Sequence, residues 1–181
     1  MFEKPDEIWM NGDFTNANAL KLRKEILAVA DLGDNVPVII NINSYGGSVD
    51  ALNNILDLLD SLPNPIITVC TGVAMSCGAV LLAYGDQRFM GPNSRVMIHQ
   101  VSGGAMGTTN EVIASAEEMK KVNLQFMKVL AKKCKKSDKQ MKAIFDKNVD
   151  KYLRPAEAKK FGIVDKIGTP RLKVLVLYAI E

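Results

Sequence analysis

The sequence predicts an α/β domain, in which buried strands alternate with helices. Residues 36–42 and 65–70 are short, largely apolar runs of the kind that forms strands buried on both faces of a sheet. Residues 20–29 and 52–59 instead carry Leu, Ile and Val at helical spacing. Because the two kinds of segment follow one another along the chain, the pattern favours an α/β fold.

The predicted elements run through the whole chain. The strands are expected at residues 7–10, 36–42, 65–70, 88–90, 95–99, 163–167 and 172–180. The helices are expected at residues 16–32, 48–62, 77–84, 109–136, 137–147 and 155–161, with Thr15 or Asn16, Ser48 and Ser137 as N-caps and Gly33, Gly85 and Gly162 at the ends. The longest helix is polar as well as apolar, so we expect it to project from the body. The glycine-rich residues 102–107 precede it and are expected to be flexible.

The composition limits the class of protein. At 181 residues we expect one domain, residues 1–181, with a substantial core. A net charge of +3 is too small to indicate a nucleic-acid partner. The cysteines Cys70, Cys77 and Cys134 are odd in number and lack metal-ligand spacing, which favours a reducing cytoplasm and predicts no metal site or cofactor.

Neither end of the chain predicts a targeting or membrane segment. The N-terminal residues 1–9 contain acidic residues and a proline where a secretory signal has a basic start and an apolar core. No apolar run reaches the roughly 20 residues that a membrane-spanning helix needs. We therefore expect a cytoplasmic protein that does not associate with membranes.

Ser76 lies on a predicted tight turn between a buried strand and an apolar helix. Such a turn presents unpaired N–H groups and the positive end of the helix dipole, which suit a developing oxyanion. This is the setting of an activated serine nucleophile in other hydrolases. The simpler alternative is that Ser76 caps a core helix.

A nucleophilic serine needs a base, and His99 is the chain's one histidine. The alternative is a histidine satisfied by hydrogen bonds at a strand end. A carboxylate usually orients the imidazole. Spacing leaves six candidates open, because such groups meet in space and not along the chain: Asp86, Asp138, Asp146, Asp150, Glu157 and Asp165.

The glycine pair Gly46-Gly47 follows the end of the second predicted strand. Without a side chain in the way, a backbone N–H there can approach a bound carbonyl. A plain tight turn is the alternative.

These motifs match a known family in type and order. The chain resembles the proteolytic subunit of Clp protease, the ClpP family of serine peptidases, over roughly residues 7–168. The blocks that carry the resemblance are residues 42–47 (INSYGG), 72–78 (GVAMSCG), 92–100 (PNSRVMIHQ) and 150–165, which begin DKYL. The departures include Tyr45 where the family usually has proline and Cys77 where it usually has methionine, and none removes a catalytic side chain.

The resemblance implies roles for individual residues. Ser76 corresponds to the nucleophile, His99 to the general base and Asp150 to the third member of the triad. The backbone N–H groups of Gly47 and Cys77 correspond to the oxyanion hole. The implied fold is the ClpP/crotonase-like fold of repeated β-β-α units, in which residues 101–136 form the handle region.

The resemblance also implies a substrate and an assembly. Gly103, Gly104 and Ala105 lie in the segment that corresponds to an edge strand pairing with extended substrate. The implied activity is hydrolysis of unfolded or small polypeptides inside a chamber made of two stacked seven-membered rings. Only about six residues precede the first strand, where family members carry pore loops that engage a AAA+ ATPase unfoldase, so the short N-terminus argues against that partner. Short, divergent relatives of this kind occur in phages and prophages, where capsid or scaffold processing is a hypothesis for their role.

Two alternatives belong to other functional classes. A crotonase-like acyl-CoA enzyme would share the fold and the paired N–H groups, but the chain is short for it and Ser76 and His99 would have no role. A non-catalytic structural subunit of a ClpP-like ring would usually lack a triad residue, and all three are present here.

Overall fold

A computed structural model of the chain describes residues 7–147 and 149–170. The described strands are β1 Ile8–Asn11, β2 Val38–Ser44, β3 Ile66–Met75, β4 Gln87–Met90, β5 Arg95–Ile98, β6 Lys151–Leu153 and β7 Lys166–Ile167. The described helices are α1 Asn16–Ala30, α2 Val49–Ser61, α3 Cys77–Tyr84, α4 Thr109–Lys133, α5 Asp138–Phe145 and α6 Pro155–Phe161. The strand predicted at residues 172–180 lies outside the described residues.

The strands form one mixed sheet, and this confirms the α/β class. Strands β1, β2, β3, β4 and β7 are hydrogen-bonded in that order and run parallel to their neighbours. The first half of β3 pairs with β4, and its second half, after Gly72, pairs with β5. In turn β6 pairs antiparallel with β5. The two halves of the long β3 thus pair with different strands, and up to α3 single strands alternate with helices.

Helix α3 lies at the centre of the core. Its residues from Cys77 to Ala83 are all buried, as expected for a helix that is apolar on every face. Helices α1 and α2 instead bury one stripe each. In α1 the buried stripe includes Leu22, Ile26 and Val29, whereas Leu20, which was counted with them in the apolar periodicity, is 56% exposed.

Helix α4 divides into two parts. The residues it buries, Phe126, Met127, Leu130 and Ala131, all lie in its second half. In its first half Val112 and Ile113 are exposed. The helix therefore extends away from the core at its N-terminal end, as the sequence predicted for this segment.

A buried arginine ties three elements together. Arg88 on β4 is 8% exposed. Its Nε and Nη2 donate to the Asp165 carboxylate at 3.0 and 2.6 Å. Its Nη1 donates to the carbonyl oxygens of Lys133 and Gly162, both at 2.9 Å. Since these carbonyls end α4 and α6, the guanidinium fixes both helix ends against the sheet.

This cluster predicts a pH dependence of stability. Hydrogen bonds from Arg88 hold the pKa of Asp165 below its usual range. The stabilisation is therefore complete above the ordinary Asp pKa of about 4 and is lost as the pH falls below it. We expect Asp165→Asn to lower the melting temperature at pH 7 and the difference from wild type to shrink on acidification to about pH 3. Asp34→Asn, an exposed carboxylate between α1 and β2, is the control. An undiminished difference for Asp165→Asn at low pH would contradict the assignment.

Candidate active site

Ser76 lies between β3 and α3 in a strained backbone conformation. Its φ is 52° and its ψ is −119°. A positive φ is uncommon for a residue other than glycine, and such strain concentrates at functional sites. Its N–H donates to the carbonyl of Met97 at 2.9 Å. The hydroxyl makes no capping hydrogen bond to α3 although Ser76 occupies the N-cap position. The alternative that Ser76 serves as a side-chain cap of α3 is therefore not supported.

The Ser76 hydroxyl instead contacts His99. Ser76 Oγ lies 2.8 Å from His99 Nε2, which is hydrogen-bonding distance. The strand register explains why these residues meet. Met75 pairs with Met97 across β3 and β5, so the residues that follow both strands emerge at the same edge.

The register of β5 and β6 brings a carboxylate to the other side of the imidazole. Ile98 pairs with Lys151 in an antiparallel ladder, so the next positions, His99 and Asp150, lie opposite each other. His99 Nδ1 is 3.9 Å from Asp150 Oδ1. That distance allows an electrostatic contact but is longer than a hydrogen bond. The other oxygen of Asp150 accepts a hydrogen bond from the Tyr152 hydroxyl at 3.4 Å.

The other candidate carboxylates have different surroundings. Asp165 is held by Arg88, Asp86 accepts from the N–H of Ile66, and Asp146 pairs with Lys142. Glu157 accepts from the N–H of Arg154 at the start of α6, and Asp138 lies in the first turn of α5. Within the described ranges, the ion pair recorded for His99 is to Asp150.

The glycine pair lies against Ser76 and is more than a turn. A Cβ on Gly46 would lie 2.6 Å from Ser76 Cβ, and a Cβ on Gly47 would lie 2.7 Å from the carbonyl oxygen of Phe14. Both positions also have a positive φ. Only glycine fits at either position. Because glycine has no side chain, the backbone can pass closely between Phe14 and Ser76.

Two N–H groups beside Ser76, those of Gly47 and Cys77, donate to no backbone carbonyl in the described part of the chain. Phe14 donates to the carbonyl of Gly46, and Ser48 donates to the carbonyl of Phe14, so the Gly47 N–H between them is left over. The Cys77 N–H is the first of α3 and has no acceptor within the helix. Such a pair of donors can hold an oxyanion next to a serine nucleophile. Phe14, which holds the glycine loop, was not singled out from the sequence because no local pattern marks it.

Comparison with known proteins agrees with this geometry. A family model described as Clp protease matches residues 1–171. The chain belongs to the Clp protease family. It is also similar to the ATP-dependent Clp protease proteolytic subunit 1 of Rhodopirellula baltica, with 35% identity over 167 residues, which cover 90% of this chain and 73% of that protein. The predicted family is thereby confirmed, and membership makes the chain a serine-type peptidase rather than a crotonase-like enzyme.

A small cavity of about 50 Å³ adjoins Ser76 and His99 in this Clp protease family member. Its wall is formed mainly by apolar side chains, from α2, α3, β5, the segment after it and the buried half of α4: Val49, Val80, Ile98, Val101, Phe126 and Leu130. Ser102 and Gly47 complete the lining. The cavity can accept an apolar side chain whose backbone lies beside the Ser76 hydroxyl.

The segment predicted to bind substrate does not form a strand in this chain. Gly103, Gly104 and Ala105 are exposed and lie in the irregular stretch between β5 and α4. They line a second, larger cavity together with Val112 and Met119 of α4, among other residues. An edge strand needs a partner to pair with, and the described residues provide none for this segment. Its role in substrate binding stays a prediction.

The three cysteines are buried and carry protonated thiols. Burial raises the pKa of Cys70 to about 12 and the pKa values of Cys77 and Cys134 to about 11. A thiol with so high a pKa is not a competing nucleophile at neutral pH.

No helix in the described ranges is both long and apolar enough to cross a membrane.

Proposed function

We propose that this Clp protease family member is an endopeptidase that cleaves unfolded or small polypeptides with the triad Ser76, His99 and Asp150. The observation that carries the proposal is the 2.8 Å contact between Ser76 Oγ and His99 Nε2 at a strained strand-to-helix turn. A serine hydroxyl becomes a useful nucleophile when a base at hydrogen-bonding distance takes its proton.

The geometry supports a two-step reaction. Ser76 Oγ attacks the substrate carbonyl while His99 Nε2 takes the hydroxyl proton. The carbonyl oxygen becomes an oxyanion, which accepts hydrogen bonds from the N–H groups of Gly47 and Cys77. His99 then donates its proton to the leaving amine as the C–N bond breaks and an acyl-enzyme forms. Water attacks the ester with His99 again as base, which releases the acid and restores Ser76.

Asp150 acts through His99. Its carboxylate faces Nδ1, so it favours the tautomer that leaves Nε2 free to accept the proton from Ser76. The same negative charge stabilises the imidazolium that forms after proton transfer.

The apolar cavity beside the site suggests a cleavage preference. Its walls offer Val80, Ile98 and Phe126 but no charged side chain. Since an unpaired charge is costly to bury, we propose that the residue on the acyl side of the cleaved bond is apolar.

The proposal includes an oligomeric chamber made of copies of this chain, with two stacked heptameric rings by family resemblance. The exposed apolar side chains of the first half of α4, Val112 and Ile113, support an interface there. A AAA+ unfoldase is not part of the proposal, because hydrolysis of small or unfolded polypeptides requires none.

Labelling with a fluorophosphonate followed by intact-mass analysis tests the proposed nucleophile. We expect one adduct per chain on the wild type and none on Ser76→Ala or His99→Ala, because the reagent requires an activated serine. Ser102→Ala, which removes a serine lining the same cavity, should keep the adduct. Size measurement by light scattering on the same samples reports whether rings form. An assembled wild type without an adduct would favour the structural-subunit alternative.

A further inference from the structure

Cys77 contacts both halves of the proposed oxyanion hole. Its own N–H, at the start of α3, is one of the two donors of that hole. Its Sγ lies 3.3 Å from the carbonyl oxygen of Gly47, the residue that carries the other donor. The side chain is 1% exposed, so water does not compete for this contact.

The contact completes the fixation of the glycine loop. The peptide that joins Gly46 to Gly47 is held from one side, because its carbonyl accepts from Phe14 N at 2.7 Å. Since a trans peptide directs its N–H opposite to its carbonyl, the Gly47 N–H points away from Phe14. The peptide that joins Gly47 to Ser48 is held at both ends: Ser48 N donates to Phe14 O at 2.8 Å, and Gly47 O accepts from Cys77.

Glycine makes this fixation necessary. Gly47 has a φ of 137° and no side chain, so its backbone has more freedom than that of any other residue type. If the Gly47 carbonyl had no partner, only the hydrogen bonds to Phe14 would restrain rotation at Gly47 and thus the direction of its N–H. A thiol is a weak hydrogen-bond donor, but a buried thiol in contact with a carbonyl oxygen can still favour one orientation of that carbonyl.

We propose that Cys77 is a positioning residue whose thiol donates to the Gly47 carbonyl and thereby aims the Gly47 N–H at the oxyanion. The inference rests on the proposed hydrolytic function and deepens it. In this role the Cys77 side chain connects the two donors, the N–H groups of Gly47 and Cys77, which lie on separate segments of the chain. The thiol remains protonated throughout the reaction and forms no bond to substrate.

Three substitutions at one position separate hydrogen bonding from packing. Cys77→Val removes the donor and enlarges the side chain, Cys77→Ala removes the donor and makes the side chain smaller, and Cys77→Ser keeps a donor. Removing an oxyanion donor outright costs about 10²- to 10³-fold in kcat, so a misdirected donor should cost about tenfold. We expect Cys77→Val and Cys77→Ala to lose about tenfold in kcat with KM changed less than about twofold, and Cys77→Ser to lose clearly less than either.

Inhibitor affinity supplies a readout that a purely structural role would not change. A peptide aldehyde forms a tetrahedral adduct with Ser76 whose oxygen occupies the oxyanion hole, so its affinity should fall in proportion to kcat in the three variants. A reduced-amide peptide of the same sequence has no carbonyl at the cleavage position, and its affinity should stay unchanged. Cys134→Val, a buried cysteine at the end of α4, is the matched control and should leave both affinities as in the wild type.

The outcomes distinguish this inference from the proposed function. A wild type that neither hydrolyses peptides nor accepts the fluorophosphonate would overturn the proposed function itself. An active wild type whose Cys77→Ser and Cys77→Val variants lose kcat equally, or lose affinity for both inhibitors equally, would overturn the positioning role. If Cys77→Val fails to assemble, the comparison of Cys77→Ala with Cys77→Ser decides in the same way.

Discussion

Replacing Ser76 by alanine should lower kcat/KM for a fluorogenic peptide by roughly 10⁵- to 10⁶-fold, the cost usual for loss of a triad serine. In the described structure, the Ser76 hydroxyl is the group at this turn that faces His99 Nε2, and it lies beside the N–H groups of Gly47 and Cys77. Alanine keeps the Cβ and removes the nucleophilic oxygen, so no acyl-enzyme can form. Steady-state hydrolysis with a long incubation time measures the residual rate.

The fold should tolerate the same substitution. The hydrogen bond of the Ser76 N–H to Met97 belongs to the backbone and is kept in the alanine variant. The hydroxyl contributes no cap to α3, so the helix loses nothing by its removal. Melting temperature and oligomeric state should therefore match those of wild type. Hydrolysis that persists in Ser76→Ala at more than about one hundredth of the wild-type rate would mean that another group is the nucleophile.

The sequence anticipated the parts of the site that depend on local pattern. The turn at Ser76 was recognisable because an apolar strand and an apolar helix flank it, and His99 because the chain has one histidine. The choice of Asp150 came from family resemblance alone. What brings Asp150 to His99 is the antiparallel register of β5 and β6, and pairing between distant segments leaves no mark in local spacing.

The sequence likewise predicted the features of the fold that depend on local pattern and missed those that depend on pairing between distant segments. Thr15 and Ser48 cap α1 and α2 as expected, because capping depends on one side chain and the N–H groups next to it. Strand β3 continues to Met75, well past the expected end at residue 70, because its second half finds a partner in β5. The three-residue β6 was missed for the same reason, since it exists through its pairing with β5.

Residues 103–105, which the family resemblance matches to an edge strand, form no strand in this chain on its own, and their substrate-binding role stays a prediction. A glycine-rich backbone loses much conformational entropy when it becomes extended. Hydrogen bonds to a neighbouring strand are needed to offset that loss. The described residues place no strand beside this segment, which lies instead against the exposed half of α4. A bound peptide would supply the missing pairing, as in other proteins that add a ligand to a sheet edge.

Replacing Asp150 by asparagine should give the second-largest loss. In a buried triad, the corresponding change costs about 10⁴-fold in kcat, chiefly because the histidine adopts the wrong tautomer. Here the carboxylate oxygen is 3.9 Å from His99 Nδ1, and the side chain is 47% exposed. Because water screens an exposed charge, we expect a smaller loss of roughly 10²- to 10³-fold, with KM little changed. Peptide hydrolysis measured under saturating and limiting substrate separates the two constants.

A neighbouring carboxylate provides the matched control for that change. Asp146 lies at the end of α5, also exposed, and pairs with Lys142 rather than with His99. Asp146→Asn makes the same chemical replacement four residues away and should leave kcat within about twofold of wild type, as for an exposed ion pair remote from the reacting atoms. If instead Asp150→Asn keeps its rate, the imidazole is oriented by another group and the register of β5 and β6 does not assemble a triad. A loss near 10⁴-fold would show that the 3.9 Å gap closes into a hydrogen bond when substrate excludes water, since only a direct and desolvated contact carries so large an effect.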